Sequence, residues 1–505
     1  MNRAASTRWG LMVATAAVGA FAAAPAGASK LATPEASTRA ATHASCPGWG
    51  RPAIAADPAT IPRHRARHAL RVFAIQLRQN PATIATAADY RRAIDCAFVT
   101  EVAPYLARGR PNLVVLDEDV GLETLAIGAR GASARRVLAH PAACGGPPCQ
   151  TLQTLSALDA GYARALAYLD ARHPRLATQL GRPFVAATDQ FVRVFMGTMA
   201  ALARRYHVYL IASNTQAPFR LTHAPAAVAS LAAPDAPADR GVYAPTAATA
   251  YDQTFVWGPA DVDRRRPAPV ANLIADNRKV PLTTFEQLLG FGAGPSRGSA
   301  ARRNLRPIAI PGTGARLGIA TSLPAFAYGP ITRQPCADVA VSYMRCLNAL
   351  HANVVIQADA NDGSWASSAA DGIWQPLEWM GSAYRAVVDP TVQFAYAVNP
   401  FMVGNLADTP FDGQSAILQR GRTGAGCEYV GDSIAATAGA RDGGPKPQFL
   451  ALAPWVVSGG RSRLASVGAS LAAGTGPYRY VQTALIADLP FPAVAGRPGC
   501  VVAGS

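Results

Sequence analysis

The chain has 505 residues, half of them hydrophobic, which is enough for a large core and excludes a disordered protein. Its formal net charge is +16, yet the arginines are scattered among Ala and Pro, and the longest basic cluster is DRRRP at Asp263–Pro267. Because a nucleic-acid-binding protein would concentrate this charge, we predict a basic surface and no nucleic-acid partner.

Residues 1–28 have the pattern of a secretory signal peptide. Two arginines precede an apolar run over about residues 10–24, and small residues at 26–28 suit cleavage. An uncleaved anchor is the alternative, but the run is short for a membrane span and no later stretch is long enough to cross a bilayer. We therefore predict a secreted, periplasmic or cell-envelope protein with no membrane span after the signal is removed.

The eight cysteines predict disulfide bonds, which form outside the cytoplasm. Their number is even, and none shows the paired spacing of a zinc site. The short loop CGGPPC could close Cys144 on Cys149, and Cys336 with Cys346 is another candidate pair, among on the order of a hundred pairings. The histidines also lack metal-ligand spacing, so we predict neither a metal nor another cofactor.

Strand and helix patterns alternate through most of the chain from Leu70 onward. LRVFAIQLR alternates as a strand does, a helix pattern covers about Thr86–Ala103, and NLVVLDED is a continuous apolar run that ends in acids. Further strand patterns are HVYLIAS, YDQTFVWGP, NLIADNRKV, RLGIATS, NVVIQADAND, VQFAYAVNP, GQSAIL and YVQTALIADL. The intervening helix patterns are about 189–206, 338–352 and 379–388. The alternation predicts an α/β fold with one or two sheets.

The pattern favours one large domain. We predict a flexible N-terminal arm over residues 29–67, which are rich in Ala, Pro, Thr and Arg without periodicity. The domain follows over 68–497, with insertions near 133–174 and near the Pro/Ala-rich interval 217–247.

Lysine is rare in this chain, and one lysine stands in a strongly patterned segment. Of the 47 basic residues only Lys30, Lys279 and Lys446 are lysine. Lysine supplies a compact charge that arginine does not, which makes Lys279 a candidate functional residue. Chance retention of a surface lysine is the alternative.

Glu118, Lys279 and Ser322 each follow an apolar strand pattern. Because strand ends at one edge of a sheet converge, a carboxylate, an ammonium and a hydroxyl can meet there. In such a group the carboxylate takes the proton of the hydroxyl, the hydroxyl oxygen attacks a carbonyl or nitrile carbon, and the ammonium stabilises the developing negative charge. An acid after a strand is also often a helix N-cap, so each residue alone is a weak indication.

The order NLVVLDE, NRKVPLTTFE and GIATS resembles the carbon–nitrogen hydrolase, or nitrilase, superfamily. Its characteristic Glu, Lys and Cys match Glu118, Lys279 and Ser322, and Glu286 matches its second, structural Glu. NVVIQADANDGSW, YRAVVDPTVQFAYAVNP and FDGQSAIL are similar to later segments of the family, so the resemblance spans roughly Leu70–Leu489. It implies an α-β-β-α sandwich of two mixed sheets flanked by helices, and a homodimer.

The resemblance implies hydrolysis of a non-peptide carbon–nitrogen bond, in an amide more than in a nitrile. Glu118 would be general base and acid, Lys279 would hold the oxyanion with the Leu323 N–H, and Glu286 would orient the others or the substrate. Ser322 stands where the family has cysteine, and an alcohol needs a base at the moment of attack. The alternatives are an inactive binding protein of the same fold, an N-acyltransferase, and an alignment without an active site.

Overall fold

The structure is a computed structural model that describes residues 46–55, 68–140, 148–234, 241–367, 375–421, 428–429, 432–433, 449–456, 461–493 and 500–502. The predicted signal peptide, residues 1–28, lies outside the described residues, as do Cys144 and most of the predicted N-terminal arm.

The described strands lie between residues 53 and 502. In chain order they are β1 (Ala53–Ala55), β2 (Leu70–Gln76), β3 (Asn112–Val115), β4 (Tyr209–Gln216), β5 (Phe219–Thr222), β6 (Val242–Pro245), β7 (Tyr251–Trp257), β8 (Leu273–Arg278), β9 (Ile308–Ala309), β10 (Arg316–Ile319), β11 (Val354–Ile356), β12 (Tyr396–Asn399), β13 (Gly404–Leu406), β14 (Thr409–Phe411), β15 (Ala416–Gln419), β16 (Glu428–Tyr429), β17 (Asp432–Ser433), β18 (Phe449–Leu452), β19 (Thr483–Leu489) and β20 (Val501–Val502).

Most of these strands form two mixed sheets of seven strands each. The first has the order β1-β19-β2-β3-β4-β7-β8, and the second has the order β20-β18-β15-β12-β11-β10-β9. The neighbours β2, β3 and β4 run parallel in the first sheet, as do β10, β11 and β12 in the second. The residues after these parallel strands therefore emerge at one edge of each sheet, where ligands bind in α/β folds.

The two sheets pack face to face through one apolar core. Val72 and Leu113 of the first sheet lie in the same buried cluster as Val354 and Tyr396 of the second. Separate clusters join the outer face of each sheet to the helices that cover it. The predicted α-β-β-α sandwich, two mixed sheets flanked by helices, is therefore confirmed.

The described α-helices connect and cover these strands. They are α1 (Ala87–Ala97), α2 (Gly128–Ala139), α3 (Cys149–Gly161), α4 (Ala163–Asp170), α5 (Arg182–Ala186), α6 (Thr188–Gln190), α7 (Gly197–Arg205), α8 (Pro225–Leu231), α9 (Ala268–Ala271), α10 (Thr284–Leu288), α11 (Gly298–Asn304), α12 (Val339–Ala349), α13 (Gln375–Val388) and α14 (Arg461–Ala472). Two π-helical turns (Phe98–Val102, Phe191–Met196) and four 3-10 turns (Ala103–Tyr105, Leu122–Ala126, Pro174–Thr178, Leu323–Phe326) complete them. No helix in the described parts of the chain is long and apolar enough for a membrane span.

Both predicted insertions lie outside the two large sheets. The interval 217–247 contributes β5 and β6, which pair only with each other in the described strands, and α8 between them. The helices near 133–174 share a buried cluster with α8 and β6, through Leu158, Leu166, Leu231 and Val242. The insertions thus pack on each other around a small core of their own.

Part of the predicted N-terminal arm belongs to the first sheet. Residues Ala53–Ala55 pair in parallel with Leu485–Ala487, and Cys46 forms a disulfide with Cys96 of α1. A three-residue edge strand leaves no periodic signal in a segment rich in Ala and Pro, so its pattern could not be recognised.

The chain contains disulfide bonds, as the cysteine count predicts. The candidate pair Cys336–Cys346 is confirmed, and it ties the loop before α12 to that helix. Cys149 and Cys500 are also disulfide-bonded, and none of the described cysteines is free. The predicted partner of Cys149, Cys144, lies outside the described residues.

Candidate active site

Glu118 lies three residues beyond the end of β3, at the edge where the parallel strands end. Its side chain is only 4% exposed. Oε1 accepts a hydrogen bond from Lys279 Nζ at 2.7 Å, and Oε2 accepts one from Ala360 N at 2.9 Å. Because Lys279 follows β8 and Ala360 lies beyond β11, the carboxylate is held by a residue from each sheet.

Lys279 places its ammonium among three carboxyl groups. Nζ lies 2.7 Å from Glu118 Oε1, 2.9 Å from Glu286 Oε1 and 3.3 Å from Asp252 Oδ2. Burial alone would lower the pKa of Lys279, but these three carboxyl groups raise it well above its usual value. The side chain therefore stays charged at neutral pH, which suits it to stabilise negative charge and not to accept a proton.

Glu286 is fixed by a helix N-terminus. Thr283 is the N-cap of α10, and its N–H donates to Glu286 Oε2 at 2.6 Å while its hydroxyl accepts from Glu286 N at 3.3 Å. This capping box has the sequence signature T-x-x-E. It fixes the direction in which the other oxygen, Oε1, meets Lys279.

Sequence reasoning missed Asp252, the second residue of β7. Gln253 pairs with Arg278 in the antiparallel β7–β8 ladder, so Asp252 comes opposite Lys279, whose N–H donates to Asp252 O at 3.0 Å. Burial raises the pKa of Asp252 and the charge of Lys279 lowers it. Burial has the larger effect, so the pKa of Asp252 is well above its ordinary value. Only the strand register reveals this residue.

The carboxylate oxygens of Glu118, Asp252 and Glu286 lie within 4.8 Å of one another, close enough to hold a metal ion. The ammonium of Lys279 already lies within ion-pair distance of all three. Since a metal ion there would face this charge, the three carboxyl groups suit an ammonium better than a metal.

Ser322 occupies a strained turn between β10 and the 3-10 turn Leu323–Phe326. Its φ of 57° and ψ of −126° form a combination that favours glycine. Such backbone strain costs about 1–3 kcal/mol and persists only where the surrounding structure imposes it, often at functional sites. The preceding Thr321 is hydrogen-bonded through its hydroxyl to that of Thr254 in β7 at 2.7 Å, which ties the turn to the first sheet.

The segment Ala358–Ala360, just beyond β11, brings Ser322 and Glu118 to one place. Ser322 N donates to Ala358 O and to Asp359 Oδ1, both at 3.1 Å. Ala360 N donates to Glu118 Oε2. The segment Ala358–Ala360 thus binds both the backbone of Ser322 and the carboxylate of Glu118. Glu118 in turn binds Lys279.

No hydrogen bond joins Ser322 Oγ to Glu118 within the described residues. Both Glu118 oxygens are instead engaged by Lys279 Nζ and Ala360 N. Catalytic hydrogen bonds are often long or misaligned without substrate and tighten in the complex. Direct proton transfer from Ser322 to Glu118 therefore requires a contact that the described residues do not make in this structure.

Asp359 is the second site residue that sequence reasoning did not assign. Oδ1 accepts from Ser322 N, while Oδ2 accepts from Gln357 Nε2 at 2.9 Å and from Asn399 Nδ2 at 2.8 Å. Burial raises the pKa of Asp359 to about 7 against the lowering effect of these donors. With three donors bound, Asp359 holds the strained turn in place.

The backbone N–H of Leu323 is the remaining donor predicted for the site. Leu323 begins the 3-10 turn, and the first N–H groups of a helix have no acceptor within it. The Ser322 N–H, by contrast, is already bound to Ala358 and Asp359. Leu323 can therefore offer an N–H to a substrate oxygen.

Glu118 has a pKa suited to proton transfer near neutral pH. Burial raises the pKa of Glu118 to about 7, partly opposed by Lys279 and reinforced by the negative charges of Asp119 and Glu286. A general base that later acts as an acid works best with a pKa near the working pH.

Neither a family model nor a curated protein sequence matches the chain. Solved structures similar to it are amidases and carbon–nitrogen hydrolases. A double mutant of the amidase from Nesterenkonia sp. AN1 in complex with acrylamide is 13% identical; the match covers 71% of this chain and 85% of that chain, with a TM-score of 0.36.

The carbon–nitrogen hydrolase from Helicobacter pylori G27 is 14% identical, with 70% of this chain and 83% of that chain covered and a TM-score of 0.37. A cysteine-to-serine mutant of the Nesterenkonia AN1 amidase, from the nitrilase superfamily, is 13% identical, with 69% and 83% covered and a TM-score of 0.35.

Proposed function

We propose that the protein is an exported amide hydrolase in which Ser322 is the nucleophile. The observation that carries this proposal is the buried group in which Glu118 binds Lys279 at 2.7 Å while Ser322, in a strained turn, is bound to the same backbone segment as Glu118. A carboxylate, an ammonium and a hydroxyl are the three groups that acyl transfer from an amide requires.

The first half of the reaction transfers the acyl group to the serine. Ser322 Oγ attacks the amide carbon as Glu118 accepts the hydroxyl proton. The oxygen of the tetrahedral intermediate becomes negative and is stabilised by Lys279 Nζ and the Leu323 N–H. The carbon–nitrogen bond then breaks as Glu118 returns its proton to the departing nitrogen, which leaves an ester on Ser322 and releases ammonia or an amine.

The second half hydrolyses this ester. Glu118, again ionised, accepts a proton from water as the water oxygen attacks the ester carbon. The same two donors, Lys279 and Leu323, stabilise the second oxyanion. When the ester bond breaks, Glu118 gives its proton to Ser322 Oγ, and the carboxylic acid product leaves a regenerated site.

An exported location supports a serine in this position. The sequence pattern of a signal peptide and the disulfides Cys46–Cys96 and Cys336–Cys346 fit an oxidising compartment. A catalytic thiolate would be open to oxidation there, whereas a hydroxyl is not.

A binding protein without covalent catalysis is the second candidate. It is favoured by the missing hydrogen bond between Ser322 Oγ and Glu118, since a binding site need not keep that contact. In that case the group around Lys279 would hold a ligand and Ser322 would be chemically idle.

Labelling with a probe whose electrophilic carbonyl acylates an activated serine separates the two candidates. The mature protein and its Ser322→Ala and Ser322→Cys variants are labelled, and the adduct is located by intact mass and peptide mapping. Ser342→Ala, which removes another buried serine, is the matched control and should label as wild type does. An adduct on Ser322 that disappears only in Ser322→Ala supports the hydrolase. Labelling of Ser322→Cys alone favours the binding protein, and labelling of none overturns the hydrolase.

A further inference from the structure

A cavity of about 720 Å³ lies at one side of the sandwich, between the last strand of each sheet. It is lined by β8, at the end of the first sheet, and by β9, at the end of the second, together with the loops that follow β7 and α11. The described residues that line it include neither Glu118, Lys279 nor Ser322. Pockets for small organic ligands have volumes of about 300–1,000 Å³, so this cavity is large enough for such a ligand and is separate from the candidate active site.

The inner wall of this cavity is an uncovered rim of the core between the two sheets. Tyr209 and Ile274 of the first sheet and Ile308 of the second line the cavity and pack against the buried cluster that joins the sheets. All three side chains are only partly buried. In the described part of the chain no further strand follows β8 or β9 in its sheet, so nothing covers this rim. An apolar surface inside a concave opening is typical of a ligand-binding groove.

Two arginines without a carboxylate partner also line the cavity. Arg303 and Arg306 are both exposed, and within the described residues neither forms an ion pair. The guanidinium of Arg303 donates only one described hydrogen bond, to Ser299 Oγ at 3.2 Å. Asn304, between the two arginines, accepts from Arg278 N at 2.9 Å and donates to Arg278 O at 2.8 Å, which fixes this segment to β8. Two guanidinium groups are thus available on a segment that is held against the cavity wall.

The two acidic side chains of the cavity are already engaged. Asp261 forms an ion pair with Arg204 at 3.0 Å. Asp276 Oδ2 accepts a hydrogen bond from Gln253 Nε2 at 2.7 Å. Among the charges of the cavity that have no ion-pair partner in the described residues, Arg303 and Arg306 therefore outnumber the single carboxylate of Asp276. The cavity has an excess of positive charge beside its apolar wall.

We propose that this cavity binds a small organic anion, a carboxylate on an apolar chain or ring. Its charged end lies at Arg303 and Arg306, because the guanidinium fork matches a carboxylate and binds it through paired hydrogen bonds. Its apolar end covers the rim formed by Tyr209, Ile274 and Ile308, which removes apolar surface from water. The site goes beyond the proposed function and does not depend on Ser322 being a nucleophile.

The first test measures the affinity of three probes for the mature protein by calorimetry. Octanoate has both features of the proposed ligand, butanoate has a shorter apolar chain, and octylammonium has the opposite charge. We expect octanoate to bind at least about tenfold more tightly than butanoate, because it buries more CH₂ groups. We also expect it to bind at least about tenfold more tightly than octylammonium, whose charge the arginines repel. Absence of octanoate binding, or an affinity for either of the other probes equal to that for octanoate, would overturn the proposal.

The second test locates the bound octanoate. The double variant Arg303→Gln with Arg306→Gln should bind octanoate at least about tenfold more weakly, since it loses both charged donors. Ala309→Trp should weaken binding as much, because Ala309 is an exposed residue of β9 whose enlargement fills the cavity. The matched control Arg302→Gln removes an exposed arginine of α11 that does not line the cavity, and it should bind as wild type does.

Urea unfolding checks that each of these variants is folded. Wild-type affinity in the double arginine variant or in Ala309→Trp would mean that octanoate binds elsewhere, the candidate active site included, and would overturn the proposal. Equal weakening in Arg302→Gln would also overturn it, because the effect would then come from general surface charge. Loss of binding in the double variant and in Ala309→Trp, with binding kept in Arg302→Gln, would support the site.

Discussion

Lys279 Nζ lies 2.7 Å from Glu118 Oε1, and the two side chains are only 3% and 4% exposed. Burying two charges costs several kcal/mol in desolvation, so such a pair adds little net stability compared with apolar residues. The cluster is larger than a pair, because Asp252 and Glu286 also contact the ammonium. Net stability alone therefore does not explain this arrangement, which the proposed hydrolase would use to stabilise a charged transition state.

Replacing Lys279 by methionine should destabilise the fold. The side chain keeps a similar length, but the buried carboxyl groups of Glu118, Asp252 and Glu286 lose their cation. Breaking a buried ion pair from one side costs about 3–5 kcal/mol. We expect a loss of this size in urea unfolding, together with loss of serine labelling.

The control for this prediction is the double variant with Glu118→Gln. Removing one negative charge from the Lys279→Met background should restore part of the lost stability. A Lys279→Met variant as stable as wild type would contradict the prediction, since it would mean that the carboxyl groups do not depend on the ammonium.

Replacing Ser322 should separate backbone strain from catalysis. Glycine adopts a φ of 57° freely, whereas alanine retains the strain. We expect Ser322→Gly to be about 1 kcal/mol more stable than Ser322→Ala in chemical denaturation. Both variants should fail to label with the serine probe. Equal stability of the two would mean that the positive φ is not imposed by the fold.

The sequence led to Glu118, Lys279 and Ser322 because each follows a strand pattern, and strand ends meet at one edge of a sheet. Glu286 was predicted through the family resemblance, as the match to the family's second, structural Glu. The alternation of elements predicted an α/β fold with one or two sheets, and the family resemblance implied the two-sheet sandwich.

The contacts of Asp252 and Asp359 in the site depend on the tertiary structure and could not be predicted from the sequence. Asp252 meets Lys279 through the register of β7 against β8, and the pattern of a single strand does not contain a register. Asp359 reaches Ser322 from the segment that follows the neighbouring strand β11, across 37 residues of sequence. An acid after a strand is also common at turns, so nothing in its own segment marks that contact.

The serine reaction should depend on the ionisation of Glu118. Burial raises the pKa of Glu118 to about 7, and only the ionised carboxylate can accept the proton of Ser322. The rate of serine acylation should therefore fall about tenfold per pH unit below pH 7 and level off above it. A stopped-flow or discontinuous labelling series from pH 5 to 9 measures this profile.

The glutamine variant at this position tests the assignment. Glu118→Gln keeps the shape of the side chain and should abolish the acylation seen at pH 8. If instead the rate shows the same rise through pH 7 in Glu118→Gln, another group is the base.

The fold should lose stability as the pH rises from 5 to 8. Burial raises the pKa to about 7 for carboxyl groups both inside and outside the site, namely those of Glu101, Glu118, Asp119, Glu123, Asp359 and Asp412. In this pH window the folded chain binds more protons than the unfolded chain, so the free energy of unfolding falls as the pH increases.

Glu101 isolates this effect from the site, because it lies in the π-helical turn Phe98–Val102 and Oε2 has no hydrogen-bond partner in the described residues. Burial raises the pKa of Glu101 from 4.5 to about 7, so ionising it in the folded state costs about 3 kcal/mol. Glu101→Gln should match wild type at pH 5 and exceed it at pH 8 by roughly this amount in urea unfolding. Asp261→Asn, a surface control, should show no such divergence. A wild-type stability that is flat or rising between pH 5 and 8 would mean that these carboxyl groups ionise at their ordinary pKa values in the folded protein.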